Sequence, residues 1–275
     1  MYTFLNRPQK KLKMRRLTER QLGTAKVELL NLLAPSHDPF SAVEYIIDTG
    51  PLSDLVKEHT AKTGRRVTLT PALNKLLALA IFENPAYNQM VFSSRVYQLE
   101  EIHIANLVLI PGTDTPTTVI LENPHQKSLD GIQQELFSNI SDTTAKWAGQ
   151  KSGTLTERFT NFCYRTGAYR LIGQKRTFTI GYERGYITNH TLSNHVYDTT
   201  TNFFMRKDII TPLYIGNKFQ ISGPVREPSV QGDQVAVRDR IHLFTTTDHR
   251  IISGFTTHRF GQSLQRIAEN PGKYL

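Results

Sequence analysis

Apolar residues recur along this chain at two spacings, three to four residues apart and every second residue. The two spacings separate helices from strands. Helical spacing runs over Leu22–Leu33, and again over Leu52–Gly64, where the glycine is a natural stop. The stretch TPALNKLLALAIFENP is apolar almost all round, which predicts a deeply buried helix with Thr70 as N-cap and Pro71 at the first helical position. Over Ser128–Trp147, residues Leu129, Ile132, Leu136, Ile140 and Trp147 fall on one face. A further helix is predicted over Leu155–Ile172, carrying Phe159, Phe162 and Cys163. The last covers Phe255–Glu269, with Phe260, Leu264 and Ile267 aligned. Strand patterns occupy Ser41–Asp48, Val91–Gln98, Ile102–Ile110, Thr117–Leu121, Thr177–Ile187, Leu213–Ser222 and Gln234–Thr246. Strands and helices mix without strict βαβ alternation, which favours a layered α/β or α+β sandwich over a barrel or a Rossmann fold.

Composition adds limits. The 275 residues are 39% hydrophobic and 21% charged, enough for a substantial core. No Pro/Gly/Ser-rich linker divides them, so a single domain is expected over residues 21–275, preceded by a basic arm over 1–20. No run of about 18 apolar residues suggests a membrane span. The opening MYTFLNRPQKKLKMRR lacks the apolar stretch of a secretory signal. Cys163 is the single cysteine, which fits a reducing compartment and leads us to expect a cytoplasmic protein. The net charge is +9, and Arg7, Lys10, Lys11, Lys13, Arg15, Arg16 and Arg20 stand against Glu19 alone. Such a block can meet nucleic acid, a membrane surface or a polyanionic small molecule. No aromatic residues interleave with the charges to stack on bases, so a solvated arm is expected and nucleic acid is not the expected partner.

Candidate chemistry narrows to one histidine. The nine histidines suggest no metal site. His190 and His195 are five apart, His242 and His249 would lie on opposite faces of a regular strand, and no His-Glu-x-x-His occurs. Phosphate-cradling P-loop and GxGxxG motifs are missing too. In TTTDHRIISGF, however, His249 sits where a strand gives way to a helix. A histidine at such a turn can present a neutral imidazole in a cleft, where it is a competent base near neutral pH. The Ser-Gly that follows is expected to let the backbone turn tightly into the last helix.

DHRIISG followed by FTTHRFGQSLQRIAENP resembles the C-terminus of the dihydrolipoyl acyltransferase catalytic domain of the 2-oxo acid dehydrogenase complexes. That family and its chloramphenicol acetyltransferase relatives carry His-x-x-x-Asp-Gly at this turn. Similar stretches continue through most of the chain: VTLTPALNKLLALAIFENPAYNQMV, IHIANLVLIPGTDTPTTVIL, KSLDGIQQEL, and LYIGNKFQIS with VREPSV and QVAVRDRIHL. TLSN, Thr191 to Asn194, is similar to the family's Thr-x-Ser-Asn-like stretch, with Gly216 at the matching distance. Taken by itself, TLSN reads equally well as a loop turn.

The resemblance implies a chloramphenicol acetyltransferase-like two-layer α/β sandwich, with a mixed central sheet and helices on one face. It implies coenzyme A or acyl-CoA as substrate, with acyl transfer to a thiol, hydroxyl or amine. His249 would be the general base and Ser193 the hydroxyl that donates to the oxyanion. Asp248, Arg250, Ser253 and Gly254 would shape the site, the first two by anchoring the turn through local polar contacts. Family members are trimers with the site between subunits, so a homotrimer or a multiple of trimers is expected. Two departures stand out. Ser253 replaces the motif's aspartate. The sequence also contains no Asp-Lys-Ala lipoyl-attachment motif, so a lipoyl substrate would be carried by another protein. Both favour one alternative, a non-catalytic scaffold or assembly subunit that keeps the fold.

Overall fold

The computed structural model describes residues 11–24, 26, 27, 30, 39–92, 95–109, 116–149, 173–183, 188–194, 217–231 and 233–275. In chain order its elements are β1 (Met14–Arg16), α1 (Glu19–Leu22), β2 (Phe40–Asp48), α2 (Gly50–Thr63), α3 (Leu69–Glu83), β3 (Gln89–Phe92), β4 (Arg95–Leu99), β5 (His103–Leu109) and β6 (Pro116–Glu122). There follow α4 (Leu129–Gly149), α5 (Gln174–Glu183), β7 (His190–Asn194), β8 (Asn217–Ile221), β9 (Val225–Gln231), β10 (Gln234–Asp248), α6 (Gly254–Glu269) and α7 (Pro271–Tyr274). The expected helix over Leu155–Ile172 lies outside the described residues, as do Cys163, His195 and Gly216.

The alternation of β10 organises the main sheet. Ile241, Leu243, Thr245 and Thr247 are buried on one face, while His242, Phe244 and Thr246 turn to the other. Around it seven strands form a mixed sheet in the order β2-β10-β8-β7-β5-β6, with β9 paired to the first half of β10. β10 is antiparallel to β2, β8 and β9, while β7 runs parallel to both β8 and β5. Helices cover the face that carries Ile241, Leu243, Phe219, Leu192 and Ile104, all in one apolar core with α3 and α6. α4 extends this cover by placing Ile132 and Leu136 on Val119 and Leu121. This is the expected layered arrangement with helices on one face of a mixed sheet.

Local chemistry sets the helix ends and their seating. Gly64 ends α2 at φ 68°, in the left-handed region, and its N–H donates to the Thr60 carbonyl. α3 starts earlier than the sequence suggests: Thr68, not Thr70, is its N-cap, and Pro71 falls later in the first turn. That placement is harmless because the first helical N–H groups have no intrahelical acceptor. Buried Asn74 of α3 and Asn106 of β5 exchange reciprocal side-chain hydrogen bonds of 2.9 and 3.1 Å. The pair fixes the helix against the sheet in one register. In α6, Phe260 stacks on Tyr87 with centroids 3.9 Å apart. Beside it, the Tyr45 ring passes so close to Gly261 that a Cβ there would lie 2.7 Å from Tyr45 Cε1. Only glycine admits that approach.

A second sheet, β1-β4-β3, has three strands. Here the structure corrects two expectations. The single strand over Val91–Gln98 is a hairpin, β3 with β4, paired from Gln89↔Gln98 to Phe92↔Arg95. The expected strand over Thr177–Ile187 is instead the helix α5 over its described part. Phe178 and Tyr182, four apart, bury onto Phe92, Tyr97 and Leu99 of this small sheet. Within the basic N-terminal segment, Met14–Arg16 supplies the edge strand β1.

Candidate active site

The turn after β10 is held by both charge and burial. Asp248 is 3% exposed, and its carboxylate accepts from the Arg250 backbone N–H at 3.0 Å. It also accepts from Arg250 Nε at 2.9 Å and Nη2 at 2.5 Å. The Asp248 carbonyl accepts from the N–H groups of Ile251 and Ile252, and both isoleucine side chains are buried. His249 N–H donates to the Pro39 carbonyl at 2.7 Å, tying the turn to the segment that enters β2. Asp248 and Arg250 thus form a bidentate pair that closes the turn around the histidine.

The half-buried His249 ring has a fixed polarity. Its Nδ1 lies 2.8 Å from the Ile252 carbonyl. A carbonyl oxygen can only accept, so in the neutral ring Nδ1 carries the proton. Nε2 then presents its lone pair away from the turn. That is the tautomer a general base needs.

Ser253 has a task of its own. It is the N-cap of α6, and its Oγ accepts from the Thr256 N–H at 3.3 Å and lies 3.1 Å from Thr256 Oγ1. Aspartate and serine cap about equally well, so this local role survives the departure from the motif. Ser253→Ala should cost about 1 kcal/mol of unfolding free energy in denaturant titrations, and Ser253→Asp should cost almost nothing. Gly254 is already helical, has no positive φ, and a Cβ there would meet no heavy atom within 4 Å. The tight turn expected of Ser-Gly is therefore made earlier, by residues 248–252. Within one chain the backbone does not require glycine at 254.

Ser193 lies on the strand β7, so TLSN is not a loop turn. It stands opposite Leu107 of β5 and Gln220 of β8, on the sheet face turned away from the helices. Ser193 is 4% exposed and Gln220 6%, and among the described residues neither side chain makes a hydrogen bond. Lys218, two residues earlier on β8, shares this face and is 7% exposed. The motif reading passed over both Gln220 and Lys218. Their only trace in the sequence was that Lys218 and Gln220 flank Phe219, a pattern blurred by polar Asn217 on the opposite face.

His249 and Ser193 do not meet within one chain. Gln220 is the register partner of both Ser193 and Phe244, so Ser193 lies two strands from β10 and five residues from His249 along it. At the usual strand spacing and rise this is a separation of about 20 Å.

The described residues contain no group of three or more His, Cys, Asp or Glu side chains able to hold a metal ion. None of their helices is long and apolar enough to cross a membrane.

Residues 219–275 match the family model for the 2-oxoacid dehydrogenases acyltransferase (catalytic domain). No curated protein sequence matches the chain. Among solved structures, the cubic core of the pyruvate dehydrogenase multienzyme complex is similar, with 18% identity, a TM-score of 0.61, and 93% of this chain and 90% of that one covered. Dihydrolipoamide acetyltransferase of Azotobacter vinelandii is similar with 18% identity and a TM-score of 0.61, over 92% of this chain and 89% of that one. A chloramphenicol acetyltransferase is similar with 12% identity and a TM-score of 0.55, over 93% of this chain and all of that one. Across nearly its whole length, the chain has the fold that dihydrolipoamide acetyltransferase cores share with chloramphenicol acetyltransferase, and residues 219–275 match the acyltransferase catalytic-domain family of the 2-oxoacid dehydrogenases.

Proposed function

We propose that the chain is a coenzyme A-dependent acyltransferase that acts as a homotrimer or a multiple of trimers, with His249 as general base and Ser193 as oxyanion donor. The observation that carries this reading is the Nδ1 contact with the Ile252 carbonyl, which leaves Nε2 of His249 free to accept a proton. Nε2 takes the proton of an acceptor thiol, hydroxyl or amine as that atom attacks the thioester carbonyl of acyl-CoA. The carbonyl π electrons move onto oxygen, and Ser193 Oγ–H donates to the resulting oxyanion. The intermediate then collapses, the C–S bond breaks, and the imidazolium returns its proton to the CoA sulfur. The separation of about 20 Å between the two residues favours a site formed where His249 of one protomer faces Ser193 of the next.

Other observations support the reading. The similar Azotobacter vinelandii structure comes from work on a serine, a histidine and an asparagine four positions beyond that histidine in the catalytic mechanism. Ser253 stands four positions beyond His249. In this proposal residues 21–275 form the catalytic domain, joined in the small sheet by Met14–Arg16 of the basic segment over residues 1–20, whose charges add positive potential for an anionic substrate.

The test joins CoA calorimetry to a free-thiol assay with acetyl-CoA and a panel of dithiol, alcohol and amine acceptors. Saturable binding and turnover are expected. Absence of both would favour the scaffold reading, to which Ser253 lends weight because its uncharged hydroxyl is committed to the helix cap. Ser193→Ala should lower kcat about a hundredfold and change the KM for acyl-CoA by less than about twofold, because the lost hydrogen bond forms mainly in the transition state. An equal loss of CoA affinity would assign Ser193 to structure.

A further inference from the structure

Polar side chains withdrawn from water nearly always find a partner, because leaving one unpaired costs about 1–3 kcal/mol. On the sheet face around Ser193 two nearly buried residues carry polar groups that have no hydrogen bond and are not fully closed off from solvent, so a ligand atom can reach them. Ser193 and Gln220 are register partners on adjacent parallel strands, so their side chains leave the same face side by side, about 4.8 Å apart at the backbone. Both are more than nine-tenths buried, and among the described residues neither hydroxyl nor carboxamide is hydrogen-bonded. Their neighbours along the register are Leu107 on one side and Phe244 on the other, neither of which offers a side-chain hydrogen bond.

We infer that Gln220 is a second catalytic residue, whose carboxamide N–H joins the Ser193 hydroxyl in binding the oxyanion. The inference rests on the acyl-transfer reading and adds a residue to it. A glutamine side chain is two carbons longer than that of serine. An oxygen seated over Ser193 therefore receives the hydroxyl from below and the carboxamide from the side. The two donors are aimed before the charge appears, which is the condition under which such groups lower a barrier most. Because an amide also has an acceptor end, Gln220 and Ser193 themselves add no net charge to the ground-state pocket. A neutral thioester carbonyl enters without penalty, and the gain comes as that oxygen turns negative.

The experiment measures kcat and KM for acyl-CoA with Gln220→Met, Gln220→Glu, Ser193→Ala and the Ser193→Ala/Gln220→Met double variant. Folding and oligomeric state are checked by circular dichroism and sedimentation. Gln220→Met should lower kcat about 10- to 100-fold with KM within about twofold. Gln220→Glu keeps the shape and supplies a usable second variant if the apolar one does not fold. It should lose at least as much, because a carboxylate there repels the oxyanion. The double variant should lose less than the product of the two single losses, since the donors act on one atom. If Ser193→Ala is impaired while a folded Gln220 variant keeps kcat within twofold, the inference about Gln220 is overturned and the acyl-transfer reading stands. If the wild-type chain shows no acyl transfer, or Ser193→Ala is fully active, the reading itself fails and the role of Gln220 goes with it.

Discussion

His249→Ala should abolish acyl transfer while leaving the fold and the oligomer intact. General-base assistance is worth about 10²–10⁴ in rate. The turn itself should survive, because it is held by the Asp248–Arg250 pair and by buried Ile251 and Ile252, none of which needs the imidazole. Far-ultraviolet circular dichroism and sedimentation should therefore match the wild type. A sharper form of the result comes from mixing. If the site lies between protomers, inactive His249→Ala and impaired Ser193→Ala chains should complement when their subunits are exchanged. About a quarter of the interfaces in a random mixture then combine an intact histidine with an intact serine. Activity should rise well above the sum of the two unmixed samples. A His249→Ala protein with substantial turnover would remove the general-base assignment. Failure to complement after verified exchange would overturn the pairing of His249 with Ser193 in one intersubunit site.

Acid should weaken the fold through a different histidine. His190 on β7 is fully buried, and its Nε2 lies 3.1 Å from Asn88 Oδ1. The Asn88 Nδ2 group already donates to the Leu99 and Glu101 carbonyls, so Oδ1 is an acceptor and His190 Nε2 carries the proton. Nδ1 is left buried with no hydrogen-bond partner among the described residues. Protonating it would strand a charge in the core. Burial pushes the His190 imidazole down to about 3, helped by the nearby His103. The unfolded chain, with an imidazole near 6.5, takes up the proton first as pH falls. This contribution to stability is complete above that value and is lost progressively between 6.5 and 3. Between pH 7.5 and pH 5 the loss should be about 2 kcal/mol, read as a shift in the urea midpoint at constant protomer concentration. His190→Gln retains a donor for Asn88 and should lose that part of the pH dependence. Identical acid sensitivity in the two proteins would show that other groups cause it.

Where one face of an element is buried and the other wet, its type could be read directly from residue spacing. Leu129, Ile132 and Leu136 announced α4, and the alternation of β10 announced a half-covered strand. Two kinds of position resisted. In α5 the residues Thr177, Phe178, Thr179, Ile180 and Tyr182 are β-branched or aromatic and read locally as strand. Packing of Phe178 and Tyr182 onto the small sheet overrides that preference. β8 hid its chemistry for the opposite reason. All of Asn217–Ile221 is buried, so no wet face marks which side Gln220 points to. The candidate histidine was visible through its motif, but the polarity of its ring was not. That polarity depends on a carbonyl three residues away, brought near only by the folded turn.

The length of β10 has a practical consequence. Its hairpin end beside exposed Asp233 and the turn at His249 lie beyond opposite ends of one strand, roughly 50 Å apart. A fluorophore attached at the hairpin tip would ride on a rigid lever whose far end holds the imidazole. It could report on subunit exchange during turnover without entering the chemistry it observes.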